Sequence, residues 1–434
     1  MENYENLVKQ QRTFFRTGKT KDIQFRVDSL NTLQNAINQH KEELLAALRK
    51  DLNKSEAEGY STEIKLVLEE IRFSLENLAS WVQPKVVDTP AFIAGASSVI
   101  YPEPYGVALI IAPWNYPFQL AIAPLIGAMV AGNCAVLKPS EFTPTTSKVL
   151  AKLVKENFPE HYIAVIEGEV ETSTALLKEK FDYIFFTGST AVGKVVMEAA
   201  AKHLTPLTLE LGGKSPCIVH SDADLKSAAK RIARGKFLNA GQTCVAPDYI
   251  LIQRKVKDQF LSELKDAIHA LYGEDISQNP DFPKVVNEKQ FNRLSTFLND
   301  GTLYFGGRSD ASRLFIEPTV LDQITWADPV MKDEIFGPIL PVIVYDGLTD
   351  IIDEITQRPK PLALYIFSES TEIQDQILNS ISFGGGCINE TLAHLTSPYL
   401  PFGGVGESGM GSYHGQGSFD TFSHHKSVLK RKAE

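Results

Sequence analysis

Four cysteines in 434 residues, without CxxC spacing and without histidines at metal-ligand intervals, supply neither a disulfide framework nor a zinc site. A reducing, cytoplasmic compartment is the expectation that follows. No signal peptide is expected either, since MENYENLVKQQ has no apolar core and no cleavage pattern. Positive charge is in deficit, with 43 Lys and Arg against 53 Asp and Glu and a net charge of −10. That balance argues against a nucleic-acid partner, because phosphate binding needs a basic face, and against adsorption to an anionic membrane. The basic tail KSVLKRKAE reads as a solvated end. Uninterrupted apolar runs are scarce too. Residues 107–137 carry no charge and are long enough to span a bilayer. Yet Pro113, Asn115, Pro117, Gln119, Pro124, Gly132 and Asn133 break the stretch. Breakers at that density predict strand–loop–helix–strand within a folded domain, not a membrane anchor.

What is present is an ordinary globular composition, 43% hydrophobic and 22% charged. The length suggests about two or three domains. Two helical patterns come first, Val27, Leu30, Leu33, Ile37, Leu44, Leu45 and Leu48, then Ile64, Val67, Leu68, Ile71, Leu75 and Leu78. From residue 106 short apolar runs read as buried strands: 106–112, 134–138, 163–168, 182–187 and 206–211, with helical stretches between them. A second strand–helix series begins near Leu211, with strands at 216–220 and 249–253 and helices around 224–238 and 257–271. Strands alternating with helices predict an α/β fold with parallel sheets. In such sheets ligands bind beyond the carboxyl ends of the strands, so those ends are the places to inspect.

After 106–112 comes APWNYPF, which holds Asn115 between two prolines; its amide could donate to an oxyanion, although the loop alone also fits a turn asparagine. After 134–138 comes KPSE, with Lys138 and Glu141 where a ribose would lie. A carboxylate there suits the 2′-hydroxyl of NAD and opposes the 2′-phosphate of NADP. After 182–187 come Gly188, Ser189, Thr190, Ala191, Val192 and Gly193, opening a helix whose free N–H groups could meet a phosphate. Taken alone, that stretch equally fits an ordinary turn with an N-cap. After 206–211, LELGGKSP sets Glu210 at a strand end, a general base if its pKa is raised, a surface glutamate otherwise. KDEIFGP carries Glu334 and Phe336 before a Gly-Pro turn, and PFGGVGESGMG is a further glycine-rich loop. Finally NAGQTCVAPDY puts Cys244 in a loop, where a nucleophile belongs, rather than in a strand, where a cysteine usually packs.

In combination, PWNYPF, KPSE, FTGSTAVGK, LELGGKSP, NAGQTCVAPDY, EIFGP and PFGGVGESGMG resemble the aldehyde dehydrogenase superfamily over nearly the whole chain. The short N-terminus, the EPYG lead-in and the GQTCVAPDY form look most like its class 3 branch, that of fatty and aromatic aldehydes. The resemblance implies a Rossmann-like NAD-binding domain (1–82 and 105–210), an α/β catalytic domain (211–395) and a small β oligomerisation arm (83–104 and 396–434). It implies that Cys244 attacks an aldehyde carbonyl, that Asn115 and the Cys244 N–H hold the oxyanion, and that Glu210 activates the water that hydrolyses the thioester. It also implies NAD as cofactor, with NADP possible. Lys138 and Glu141 would meet the adenosine ribose, 188–193 the pyrophosphate side, and Glu334 with Phe336 the nicotinamide ribose. No metal is called for. Tyr116 and Leu120 could line the substrate tunnel or simply pack. A homodimer through ASSVIYPEP and the C-terminal segment is implied by analogy. Because the chain stops at SHHKSVLKRKAE, without an apolar extension, it is expected to be soluble. Two other readings share the scaffold. In a CoA-acylating enzyme the water-activating Glu210 would have no task; a non-catalytic relative would have no need of Asn115, Glu210 and Cys244 together.

Overall fold

Five short β-branched or apolar runs, each bounded by turn residues, and a two-residue edge strand assemble one six-stranded sheet. In the computed structural model, which describes residues 4–431, its strand order is Gly409–Met410, Leu207–Glu210, Tyr183–Thr187, Val107–Ile111, Cys134–Lys138, Ile163–Val165. All neighbours are parallel except the antiparallel edge pair of Gly409 with Glu210 and Met410 with Leu209. Residues 409–410, placed by the sequence reading in the bridging segment, thus pair on this sheet. The register sets Ile111 beside both Lys138 and Phe186, and Thr187 beside Glu210, so the carboxyl ends of four strands share one edge. The charge-free stretch resolves into strand Val107–Ile111, buried helix Gln119–Ala131 with Pro124 inside it, and strand Cys134–Lys138. Among the described residues no helix is long and apolar enough to cross a membrane.

A second sheet runs Thr302–Phe305, Thr319–Asp322, Ile339–Tyr345, Tyr249–Gln253, Pro216–Val219, Ala363–Phe367, Gly385–Ile388, parallel but for the first pair. Helices Leu225–Phe237 and Lys257–Tyr272 pack on it where the sequence expects them. A third, antiparallel sheet joins Lys85–Val87, Ala96–Pro104 and Ser423–Arg431.

The N-terminal region departs from expectation in two places. The periodic stretch from Val27 to Leu48 forms two helices, Ile23–Gln39 and Lys41–Leu52, which meet at His40. His40 Nδ1 bonds the Ala36 carbonyl at 3.0 Å, and both apolar faces still point inward, so periodicity alone does not reveal the break. A further helix, Glu5–Arg16, precedes them. One of its two buried positions is Gln11, whose Nε2 donates to the carbonyls of Ala135 (3.0 Å) and Glu160 (2.9 Å), so a polar residue occupies a core position.

Candidate active site

Strand Val107–Ile111 delivers the loop 112–118. Asn115 is buried there, and its Nδ2 donates to the Gln242 carbonyl at 3.1 Å, engaging one of its two amide hydrogens. Its own carbonyl accepts two bonds, from Lys54 Nζ at 3.0 Å and from Asn239 Nδ2 at 2.8 Å. Tyr116 turns inward, its ring 4.0 Å from Lys54 Nζ and its hydroxyl 2.6 Å from Thr243 Oγ1.

The loop before Cys244 needs backbone angles that side chains resist: Asn239 has φ 52°, Ala240 φ 51° and Gly241 φ 74°. At Gly241 a Cβ would also strike the carbonyl of Gly337, so only glycine fits. Polar bonds hold the rest of the loop. Glu58 Oε1 accepts from the Asn239 N–H at 3.0 Å, and Gln242 Nε2 donates to the carbonyls of Asn239 and Lys284 while its Oε1 accepts from Val286 N. Cys244 emerges half-buried. Burial, then the charges of Glu334 and Glu210, push its thiol pKa up to about 12.

Glu210, at the end of strand Leu207–Glu210, is 3% exposed, and neither carboxyl oxygen has a partner. Burial raises its pKa well above the usual 4.5. Glu334 approaches Gly212 so closely that a Cβ there would collide with its carboxylate. Its pKa is pushed up to about 8, by burial first and then by Asp248. Arg293 donates to the carbonyls of Glu334 (3.3 Å) and Ile335 (2.5 Å), and the Phe336 ring stands edge-on to Trp114 at 5.3 Å.

One cavity of about 750 Å³ brings these groups together. Asn115, Glu210, Cys244, Glu334, Phe336 and the turn residues Gly188, Ser189, Thr190 and Ala191 line it, with Leu120 on its wall. Val192 and Gly193 lie outside, in the first turn of helix Thr190–Ala201. Lys138 and Glu141 also lie outside, paired at 2.7 Å where strand Cys134–Lys138 ends. Sequence reasoning passed over Lys54, Glu58, Glu63 and Arg293, because isolated charges in polar stretches look solvated. Of the other cysteines, Cys134 and Cys217 are buried in strands, and Cys387 bonds His394 at 3.4 Å.

The cavity suits a dinucleotide. Helix Thr190–Ala201, capped by Ser189, offers first-turn N–H groups without intrahelical acceptors. The buried Thr187 Oγ1 and both Glu210 oxygens are unpartnered at its edge, and the bare Gly212 backbone lets the Glu334 carboxylate reach deep into it.

Residues 1–428 match the model of the aldehyde dehydrogenase family. A 4,4′-diaponeurosporen-aldehyde dehydrogenase of Staphylococcus aureus is 50% identical over 430 residues, spanning 98% of this chain and 94% of the relative. The dimeric NADP-preferring aldehyde dehydrogenase of Rattus norvegicus is 45% identical over 99% of this chain and 95% of its own. Among solved structures, the substrate-bound state of Staphylococcus aureus AldH superposes with a TM-score of 0.98 at 49% identity, covering 100% of this chain and 95% of that one.

Proposed function

The chain belongs to the aldehyde dehydrogenase family and is an NAD(P)-dependent enzyme acting on aldehydes, and from that premise we propose how its residues share the work. Cys244 is the nucleophile. Its proton has two carboxylates beside it, Glu334 and Glu210, whose charges are felt by the thiol. Those charges hold the proton on the sulfur; its release to solvent water gives the thiolate that bonds to the aldehyde carbon. The oxyanion that results is held by the uncommitted N–H of Asn115 and by the backbone N–H of Cys244. Bound NAD(P) would supply the acceptor for the hydride that leaves that carbon. What remains on Cys244 is a thioester. Glu210 then takes a proton from water as the oxygen attacks the thioester carbon; the acid forms and the Cys244 thiolate departs. A carboxylate whose pKa is held well above 4.5 is a stronger base than an ordinary one, which fits that task.

The observation that carries this reading is that Cys244, Asn115 and the unpartnered Glu210 line one cavity. We assign Lys138 and Glu141 to the adenosine ribose, residues 188–193 to the pyrophosphate side, and Glu334 and Phe336 to the nicotinamide ribose. We take 1–82 with 105–210 as the cofactor domain and 211–395 as the catalytic domain. Segments 83–104 and 396–434 form the arm of a homodimer, through the sheet they share. The compartment we propose is the cytoplasm, in keeping with four unbridged cysteines.

The test is reduction of NAD and NADP, followed by absorbance, with short, long and aromatic aldehydes and with Cys244→Ala alongside. Reduction that vanishes in the variant is expected. Folded protein that reduces neither cofactor with any aldehyde, or that yields acyl-CoA only when CoA is supplied, would overturn the reading.

A further inference from the structure

The segment between the helices Lys41–Leu52 and Lys65–Trp81 places two charged side chains, Lys54 and Glu63, fully inside the protein and a third, Glu58, half-buried beside them. Lys54 and Glu63 are both 0% exposed on their side chains and form an ion pair at 2.5 Å. A π turn over Tyr60–Ile64 follows the short helix Glu56–Gly59, and such turns commonly occur at functional sites. Here it carries Glu63 beneath the loop 112–118. Glu63 Oε2 accepts from the backbone N–H groups of Phe118 (3.0 Å) and Gln119 (2.9 Å), where helix Gln119–Ala131 begins. Lys54 spends another of its donors on the Asn115 carbonyl and lies over the Tyr116 ring. Glu58 holds the Asn239 N–H, and Asn239 in turn donates to that same Asn115 carbonyl.

We propose that the buried Lys54–Glu63 pair is a positioning device for the oxyanion donor, fixing the Asn115 backbone from below so that its side-chain amide keeps its place beside Cys244. This rests on the assignment of Asn115 made above. The peptide carbonyl of Asn115 is bonded on both sides, by a cation and by an amide, and Phe118 and Gln119, where the loop ends, are held through their N–H groups by Glu63. Two charges withdrawn from water are a poor source of stability, since apolar residues of the same volume do as well or better. Their geometric output is what distinguishes them, because a displacement of about 1 Å at a reacting centre costs about 100-fold in rate.

The pair is tested as a pair, since removing one partner strands a buried charge. In Lys54→Met/Glu63→Gln the expected result is a kcat for aldehyde oxidation down by about 10- to 100-fold, with KM for the cofactor unchanged. The release of 4-nitrophenol from 4-nitrophenyl acetate, without cofactor, should fall in parallel, because thiol attack on that ester also builds an oxyanion. Alkylation of Cys244 by iodoacetamide builds none, and its rate should stay within about twofold. A merely structural role would move alkylation and ester cleavage together. Asn239→Ala is the second arm should the double variant not fold: it withdraws one donor from the Asn115 carbonyl and one from the Gln242 carbonyl with no charge stranded, and the same selective loss, smaller in size, is expected. Either variant, folded and cleaving the ester as fast as the parent, overturns the proposal. Asn115→Ala separates the two assignments. If it retains full activity, the donor role and the positioning role both fall; if it is slow while the double variant is fast, only the positioning role falls.

Discussion

The hydroxyls of Tyr116 and Thr243 lie 2.6 Å apart, tying the neighbour of Asn115 to the neighbour of Cys244. Both side chains are buried, Tyr116 at 9% exposure and Thr243 at 6%. Tyr116→Phe leaves the Thr243 hydroxyl without that partner, and an unsatisfied buried group costs about 1–3 kcal/mol. The urea midpoint should fall accordingly at constant slope. A midpoint equal to the parent's would mean that the bond holds nothing together.

Glu210 should make the protein less stable as pH rises. Its folded pKa is raised above 4.5, the usual value, so the fold favours the protonated form. Its contribution is therefore full below about pH 4.5 and is lost as pH climbs through the folded pKa. Glutamine stays neutral throughout. Glu210→Gln should melt at a higher temperature than the parent, with a gap that widens from about pH 5 upward, while thioester hydrolysis slows. Parallel melting curves across that range would contradict the burial argument.

Cys244 is protonated at neutral pH if burial and its carboxylate neighbours hold it near 12. Its alkylation by iodoacetamide should then quicken about tenfold per pH unit through the alkaline range, since the thiolate is the reactive form. Glu334, held near 8, bears its charge only above that pH. Glu334→Gln removes a negative neighbour and lowers the thiol pKa, so its alkylation should outpace the parent's above about pH 8 and match it below. Cys244→Ala supplies the background from the other thiols. A rate that levels off near neutrality would show an activated thiol instead.

Gly241→Ala places a side chain at φ 74° against the Gly337 carbonyl. Strain of this kind costs on the order of 1–3 kcal/mol, more where the clash cannot relax. We expect a lowered melting temperature together with a loss of oxidation larger than the loss of folded protein. Full activity in this variant would mean that the loop carrying Cys244 tolerates rearrangement.

The strand ends were the most readable part of the chain. Ile111, Lys138, Thr187 and Glu210 follow apolar runs short enough for buried strands, and the parallel register then gathers what comes after them. Cys244 was readable because glycine and proline around it exclude regular structure. Lys54 and Glu63 were not: nothing in KSEAEGYSTEI distinguishes a charge that is buried and paired from one that is solvated. Gln11 failed in the same way, a polar residue at a core position whose partners are the distant carbonyls of Ala135 and Glu160, and so did His40, which is buried between the Ala36 carbonyl of the helix it ends and the Glu156 side chain. Periodicity reports which face is apolar, and it is blind to a polar group satisfied at a distance.

The Asn239 N–H reaches back to Glu58, and the Asn115 carbonyl to Lys54. On a ribosome those N-terminal residues emerge first and the cysteine loop much later. Until residues 239–244 have been made and have docked, the strained turn before Cys244 has nothing to hold it. A nascent chain therefore carries a thiol but no assembled site. The cavity that Asn115 and Cys244 share is complete only once segments far apart in the chain have met.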